Sequence, residues 1–400
     1  MGARALRGIQ ASGFALDTPL AGIPDLPPAL RELVVDARYR AAERVFGTAI
    51  ARQADLLLLV GGILSSETGP GSRGPWFLVE QFRRLAQHGI PVIWAEVSHE
   101  LHDWVASNLS LPSNVTLLSG ESSSRITLAG DGALRHVALH CRSAGSIVPV
   151  EKGVADWNII LAPSMTVDFS LGRWADYVGQ AGPSRALLSE KAFSSGAPQG
   201  SGFHEPGAHG CLSFTLTENE PPRTEFIPTD AVRWAMESVP LAPDSSFESL
   251  RRDLAHRLGQ FPSGHSCDAW IVGWRLEESS HAPLAFPPCE KLLAALRQDA
   301  VDNRITAWPG RLEVGRTVLQ CESRTEESDE AAQAIWSAAR HILSSPETSL
   351  DLADFLGDDV SGVPQSLRTV PADDRRSAVE SHLCAQAVRT LAARSLTALR

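Results

Sequence analysis

The residues best equipped for chemistry stand where an apolar run stops. Val92-Ile93-Trp94-Ala95 gives way to Glu96-Val97-Ser98-His99-Glu100, which offers two carboxylates and an imidazole. Such oxygen and nitrogen donors hold divalent cations, and this set suffices for one weakly bound ion. The plainer use of His99 is a hydrogen bond to nearby backbone. Gly69-Pro70-Gly71-Ser72-Arg73-Gly74 fits the G-x-G-x-x-G pattern of a dinucleotide-binding turn, and Glu96 follows at a distance suited to a ribose contact. Eight residues separate Val60 from Gly69, however, and Pro70 removes an N–H from the turn that would cradle a phosphate. His136 and His140 share one face of a strand by their even spacing, and His204-Glu205 and His209 fall in a glycine-rich loop; surface positions explain each of them. Ser12, Ser164 and Ser184 have no histidine placed as a base, which leaves a serine hydrolase without support.

Those residues depend on the elements around them, above all on Asp36 to Glu100. Ala41, Ala42, Val45, Phe46, Ala49 and Ile50 recur at helical spacing and predict an amphipathic helix. Leu56 to Val60 is a short apolar run stopped by Gly61-Gly62, as in a strand buried on both faces. Leu78, Phe82 and Leu85 mark a second helix, stopped by Gly89 and followed by the strand Pro91 to Ala95. Two strands joined by a helical crossover run parallel, and ligands of such sheets bind at the strands' carboxyl ends. Arg7 to Leu16 is a poor first strand because of Gly8 and Gly13. Beyond Glu100, strands are predicted at Asn114 to Leu118, at Trp157 to Leu161 and around Tyr177. Hairpins are predicted at Arg125 to Cys141 and at Gly210 to Ile227. After Pro228 the order becomes strand, helix (Phe247 to Leu258), strand, helix (Glu290 to Asp299), strand, which suits a small α+β domain. Glu326 to Leu343 and Ala372 to Leu399 read as helices. The last has an apolar stripe of Val379, Leu383, Val388 and Leu391 that packs at home or in a partner's groove.

Bulk properties narrow the classes. Four hundred residues exceed one small core, and 43% hydrophobic with 21% charged content describes an ordinary globular chain. No apolar run reaches the roughly 20 residues that span a bilayer, and Met1 to Gln10 has no apolar core of a secretory signal. Six scattered cysteines without a C-x-x-C pair fit reduced thiols in a cytoplasmic protein. A net charge of −11 argues against strong autonomous binding to nucleic acid.

Several motifs together carry a resemblance. Gln10-Ala11-Ser12-Gly13-Phe14-Ala15-Leu16-Asp17, Asp36 to Ala41, Leu59-Val60-Gly61-Gly62, and Gly89 to His99 resemble, in order, the calcineurin-like metallophosphoesterases. Asp176-Tyr177, Gly196 to Gly200, His209-Gly210-Cys211 and Phe226 to Asp230 extend the likeness. Within that superfamily the chain is most similar to the DNA repair exonucleases of the SbcD-like family. The resemblance implies an α/β fold: a four-layer α/β/β/α sandwich over residues 1–230, an α+β capping domain over 231–320 and a C-terminal helical segment over 321–400. It also implies an SbcC-like coiled-coil ATPase or a second copy as partner, and DNA engaged weakly or through that partner.

The same resemblance implies two manganese or magnesium ions about 3.5–4 Å apart that activate a water for attack on phosphorus. At the family's ligand positions this chain has Gly13, Ala15, Gly62, Ser98, Pro163 and Ser184, and only His99 is retained as a ligand or phosphate contact. Glycine and alanine have no side-chain donor, so the expectation is a fold kept without its metal centre and without a cofactor. An active phosphoesterase with a rebuilt site, and a nucleotide-binding module using Gly69 to Gly74, are the alternatives.

Overall fold

The computed structural model describes residues 5–20, 23, 25–65, 72–96, 99–130, 133–142, 155–164, 175–182, 184–241, 245–262, 267–278, 289–302 and 307–315. The chain divides into two compact units, Met1–Thr317 and Val318–Arg400. Every described residue belongs to the first, so the helices expected within 321–400 lie outside the described residues.

The fold is the expected α/β sandwich of two facing sheets. In chain order the first sheet uses β1 (Ala5–Ala11), β2 (Leu56–Val60), β3 (Val92–Glu96) and β4 (Val115–Ser119). The second sheet uses β5 (Ser123–Gly130), β6 (Ala133–Cys141), β7 (Trp157–Ala162), β8 (Tyr177–Gln180), β9 (Arg185–Ser189) and β10 (Ala192–Ser195). The hairpin of β11 (Gly210–Thr217) and β12 (Arg223–Pro228) returns to the first sheet, giving the orders β12-β11-β1-β2-β3-β4 and β5-β6-β7-β8-β10-β9. β1, β2, β3 and β4 run parallel, and β11 pairs antiparallel with β1. Leu58, Val60 and Ile93 from one sheet meet Leu139, Ile159 and Leu161 from the other in a dry core. Each such fully buried aliphatic side chain contributes roughly 1.5–3 kcal/mol.

Helices α1 (Pro28–Ala51), α2 (Arg73–Gln87) and α3 (His99–Asn108) cover the outer face of the first sheet, as the shared core of Phe46, Leu57, Leu59, Phe82 and Trp94 shows. Proline suits the opening of α1, where its missing N–H costs nothing. Gly89, at φ +67°, ends α2 as expected. α3 was not foreseen, although Leu101, Trp104 and Val105 recur at helical spacing and pack on the core. The outer face of the second sheet carries Ile160, Ala175, Val178 and Ala192.

Gly8 does not weaken β1; it makes room. A Cβ there would stand 2.2 Å from the ring of Phe214, which stacks on Tyr177 with centroids 4.3 Å apart. A strand poor by propensity is thus a central strand by packing.

A three-stranded sheet follows from β13 (Val232–Leu241), α4 (Phe247–Leu258), β14 (Ala269–Glu278), α5 (Cys289–Asp302) and β15 (Ala307–Gly315). All three strands run parallel in the order β13-β14-β15, a βαβαβ unit whose direction the alternation of elements had left open. Its core of Trp234, Trp274, Leu254 and Leu296 also takes Val34 and Ala37 of α1, so α1 serves both cores. Buried polar groups fasten the junction. Asp230 receives a forked pair from Arg233 at 2.6 and 2.7 Å, and Gln199 accepts the N–H groups of Ala231 and Val232. Phe203 fills the space left by Gly273 and Gly310, where a Cβ would lie 2.9 and 2.7 Å from its ring. Among the described residues no helix is long and apolar enough to cross a membrane.

Candidate functional site

The strand ends where ligands would be sought do converge. Past β1, the N–H of Gly13 donates to Gly61 and that of Ala15 to Gly62, both at 2.9 Å. This ties the loop after β1 to the loop after β2. Gly13, Gly61 and Gly62 have φ of +63°, +66° and +64°, conformations in which glycine alone is unstrained. A Cβ on Gly61 would lie 2.5 Å from the carbonyl oxygen of Pro163, which brings the end of β7 against the end of β2. On the far side Gly13 faces Ala197, and Gly196 packs against Ser184, where a Cβ would come within 2.9 Å of the Ser184 carbonyl carbon. Gly13, Ala15, Gly62, Pro163 and Ser184 therefore sit around one place. His99 opens α3 just beyond β3, while Ser98 lies outside the described residues.

What lines that place is backbone and small side chains. A pair of divalent cations needs several carboxylate or imidazole donors, and Gly13, Ala15, Gly62 and Pro163 supply none. Among the described residues no group of three or more metal-binding side chains exists. Glu96, at the end of β3, is buried, with its carboxylate bonded to the Gly62 N–H at 3.3 Å and to the Trp94 indole at 3.4 Å. The residues present do not fit the family's metal pair.

Polar groups beneath the cleft are engaged in holding the sheets together. Gln10, wholly buried, donates to the carbonyls of Gln180 and Phe193 and accepts from the Tyr177 hydroxyl. Burial pushes that phenol well above its ordinary range, so it stays a donor. The Ser12 and Ser195 hydroxyls lie 3.0 Å apart and both reach the Gly196 carbonyl, with no imidazole at either. His209 is buried, not on the surface, with its ring nitrogens 3.2 and 3.1 Å from the carbonyls of Ala197 and Glu205. Burial pushes Glu205 up, but bonds from the Ser201 N–H and hydroxyl, and the nearby His209 and His204, outweigh it and hold the carboxyl below its ordinary value. His136 and His140 do share a face, each paired across β5 with a hydroxyl, Thr127 and Ser123. Burial, with Arg142 and Arg125, holds His140 below its usual range.

Asp17 bears on the glycine-rich loop. Gly69 to Gly71 lie outside the described residues, but Gly74 opens α2 and gives its N–H to the Asp17 carboxylate at 3.0 Å, which also accepts from Tyr39. A carboxylate of the chain itself occupies the helix start where a nucleotide phosphate would bind. Its only signal in sequence was its place at the end of the first motif.

No family model matches the chain. The uncharacterized metallophosphoesterase YhaO of Bacillus subtilis (strain 168) is 27% identical over 113 residues, 28% of this chain. The match spans about a quarter of that relative, 27% of its length. Among solved structures, GAP50, the anchor in the inner membrane complex of Plasmodium, has 9% identity and a TM-score of 0.35 over 56% of this chain and 85% of its own. YfcE, a phosphoesterase from E. coli, has 14% identity and a TM-score of 0.28 over 56% of this chain and 93% of its own. The shared 113 residues relate this chain to the metallophosphoesterase superfamily.

Proposed function

We propose that the chain is a catalytically silent relative of the SbcD-type DNA repair exonucleases. Its role is that of a scaffold or partner subunit beside an SbcC-like coiled-coil ATPase in the processing of DNA breaks. One observation carries this reading: strand ends that converge as in a phosphoesterase, with glycine, alanine and proline where donors are needed. The net charge of −11 supports contact with DNA through a partner. Cytoplasmic residence fits the cysteines, since burial pushes the Cys141 and Cys211 thiols up to about 12 and leaves them inert.

The two alternatives have less behind them. A rebuilt hydrolytic site would have to draw on Glu96, whose carboxylate is bonded to Gly62 and Trp94. A nucleotide on the Gly69–Gly74 loop would compete with Asp17 for the start of α2. Assays on linear duplex DNA and on a phosphodiester reporter, with saturating manganese, test the reading. No turnover above buffer is expected, together with capture of a co-expressed SbcC-like coiled-coil ATPase. Manganese-dependent turnover that vanishes in Glu96→Gln would overturn it in favour of a rebuilt site.

A further inference from the structure

α1 stops at Ala51, and past its end the outer face of β1, β11 and β12 forms a cleft of about 310 Å³. Strand register builds its floor. Arg7 pairs opposite Thr215, and Thr215 opposite Arg223, so one row across three strands reads Arg-Thr-Arg. Directly opposed residues share a face of the sheet. The next row on that face is Ile9, Ser213 and Glu225. Arg7 and Arg223 stand two strand spacings apart, roughly 10 Å, with the Thr215 hydroxyl between them.

The charges in this cleft are unequally committed. The Glu225 carboxylate is forked onto Arg52 at 2.8 and 2.9 Å, which holds it below its ordinary range. Arg223 meets Glu220 at 2.8 Å, but the side chains are 77% and 45% exposed, where water leaves little net attraction. Among the described residues no carboxylate pairs with the Arg7 guanidinium. The cleft thus presents three arginines and two hydroxyls, of Ser213 and Thr215, against one neutralised carboxylate. An arginine's planar fork matches the oxygens of a phosphate group, and hydroxyls supply the remaining donors. This place lies toward the amino end of β1, away from the loops that follow its carboxyl end.

We propose that this cleft is a second binding site, for a small tetrahedral dianion of the phosphate class gripped between Arg7 and Arg223 with the Thr215 and Ser213 hydroxyls beneath it. Calorimetric titration of the full chain with inorganic phosphate and with a mononucleotide 5′-monophosphate, at constant ionic strength against chloride, tests it. One saturable site is expected. Arg7→Gln and Arg223→Gln should each weaken binding about tenfold or more, as loss of a charge-assisted bond does. Glu225→Gln, which frees Arg52, should tighten it, and Arg40→Gln, in a different cleft beside Asp268, should leave it unchanged. Equal affinity for both probes would assign the site to inorganic phosphate and tighter binding of the mononucleotide to a phosphate monoester; either sustains the proposal. Heats no larger than those of chloride, or binding untouched in Arg223→Gln, would overturn it. Arg223 is exposed enough for that variant to fold even where Arg7→Gln does not.

Discussion

Past the carboxyl end of β1, backbone meets backbone. Gly13 and Ala15 bond to Gly61 and Gly62, Pro163 presses on Gly61, and none of these residues offers a side-chain donor. Toward the amino end of the same strand, arginines and hydroxyls stand in rows around an open cleft. In parallel sheets the first location is where ligands bind and the second is usually inert. Here the side chains reverse that order. Topology supplies a place for chemistry, but only donor atoms supply the chemistry.

The largest test of this contrast falls between the two ends. Gly8→Val would drive a branched side chain into the Phe214 ring and break the stack on Tyr177. We expect a loss of about 3 kcal/mol in urea unfolding, the upper range for overpacking; a loss below 0.5 kcal/mol would show that the sheets separate more easily than this packing implies. Next comes Gln10→Leu, which leaves the Tyr177 hydroxyl and two buried carbonyls without their partner. A cost of about 1–3 kcal/mol is expected. A neutral result would mean that the polar layer under the cleft is not structural.

Smaller effects belong to the cleft itself. Glu205 has a folded-state pKa below its ordinary 4.5, so its contribution is full above that value and is lost as pH falls through the folded pKa. Glu205→Gln should therefore lower the melting temperature at neutral pH, and the gap to wild type should close in acid. A gap that stays constant with pH would remove Glu205 from the network around His209. The smallest effect concerns Ala15, held at φ +45° without glycine's freedom. Ala15→Gly should stabilise by up to about 1 kcal/mol, because glycine adopts this φ without a Cβ penalty.

Much of this fold was legible in the sequence. Leu56 to Val60 and Val92 to Ala95 are short apolar runs bounded by glycine or charge, and they form parallel buried strands. The face of α1 was readable from Ala41 to Ala49, and Phe247–Leu258 coincides with α4. β9 and β10 were missed because Arg185 to Ser195 is rich in serine and alternates poorly. Gly8 misled because its partner, Phe214, lies far along the chain. The positions of the cleft followed from the order of motifs, and their convergence from strand topology. The Gln10–Tyr177 bond joins residues 167 apart, and the role of Asp17 at the start of α2 depends on a fold of the loop after β1; neither has a local signature.

We propose that a phosphoesterase-like cleft survives here without metal ligands. Titration of the purified chain with manganese, followed by calorimetry and by loss of the free-ion electron spin resonance signal, addresses it directly. The prediction is weak, non-saturating binding no tighter than that of a surface histidine, unchanged by Glu96→Gln. Stoichiometric uptake of two ions, abolished by that substitution, would contradict it.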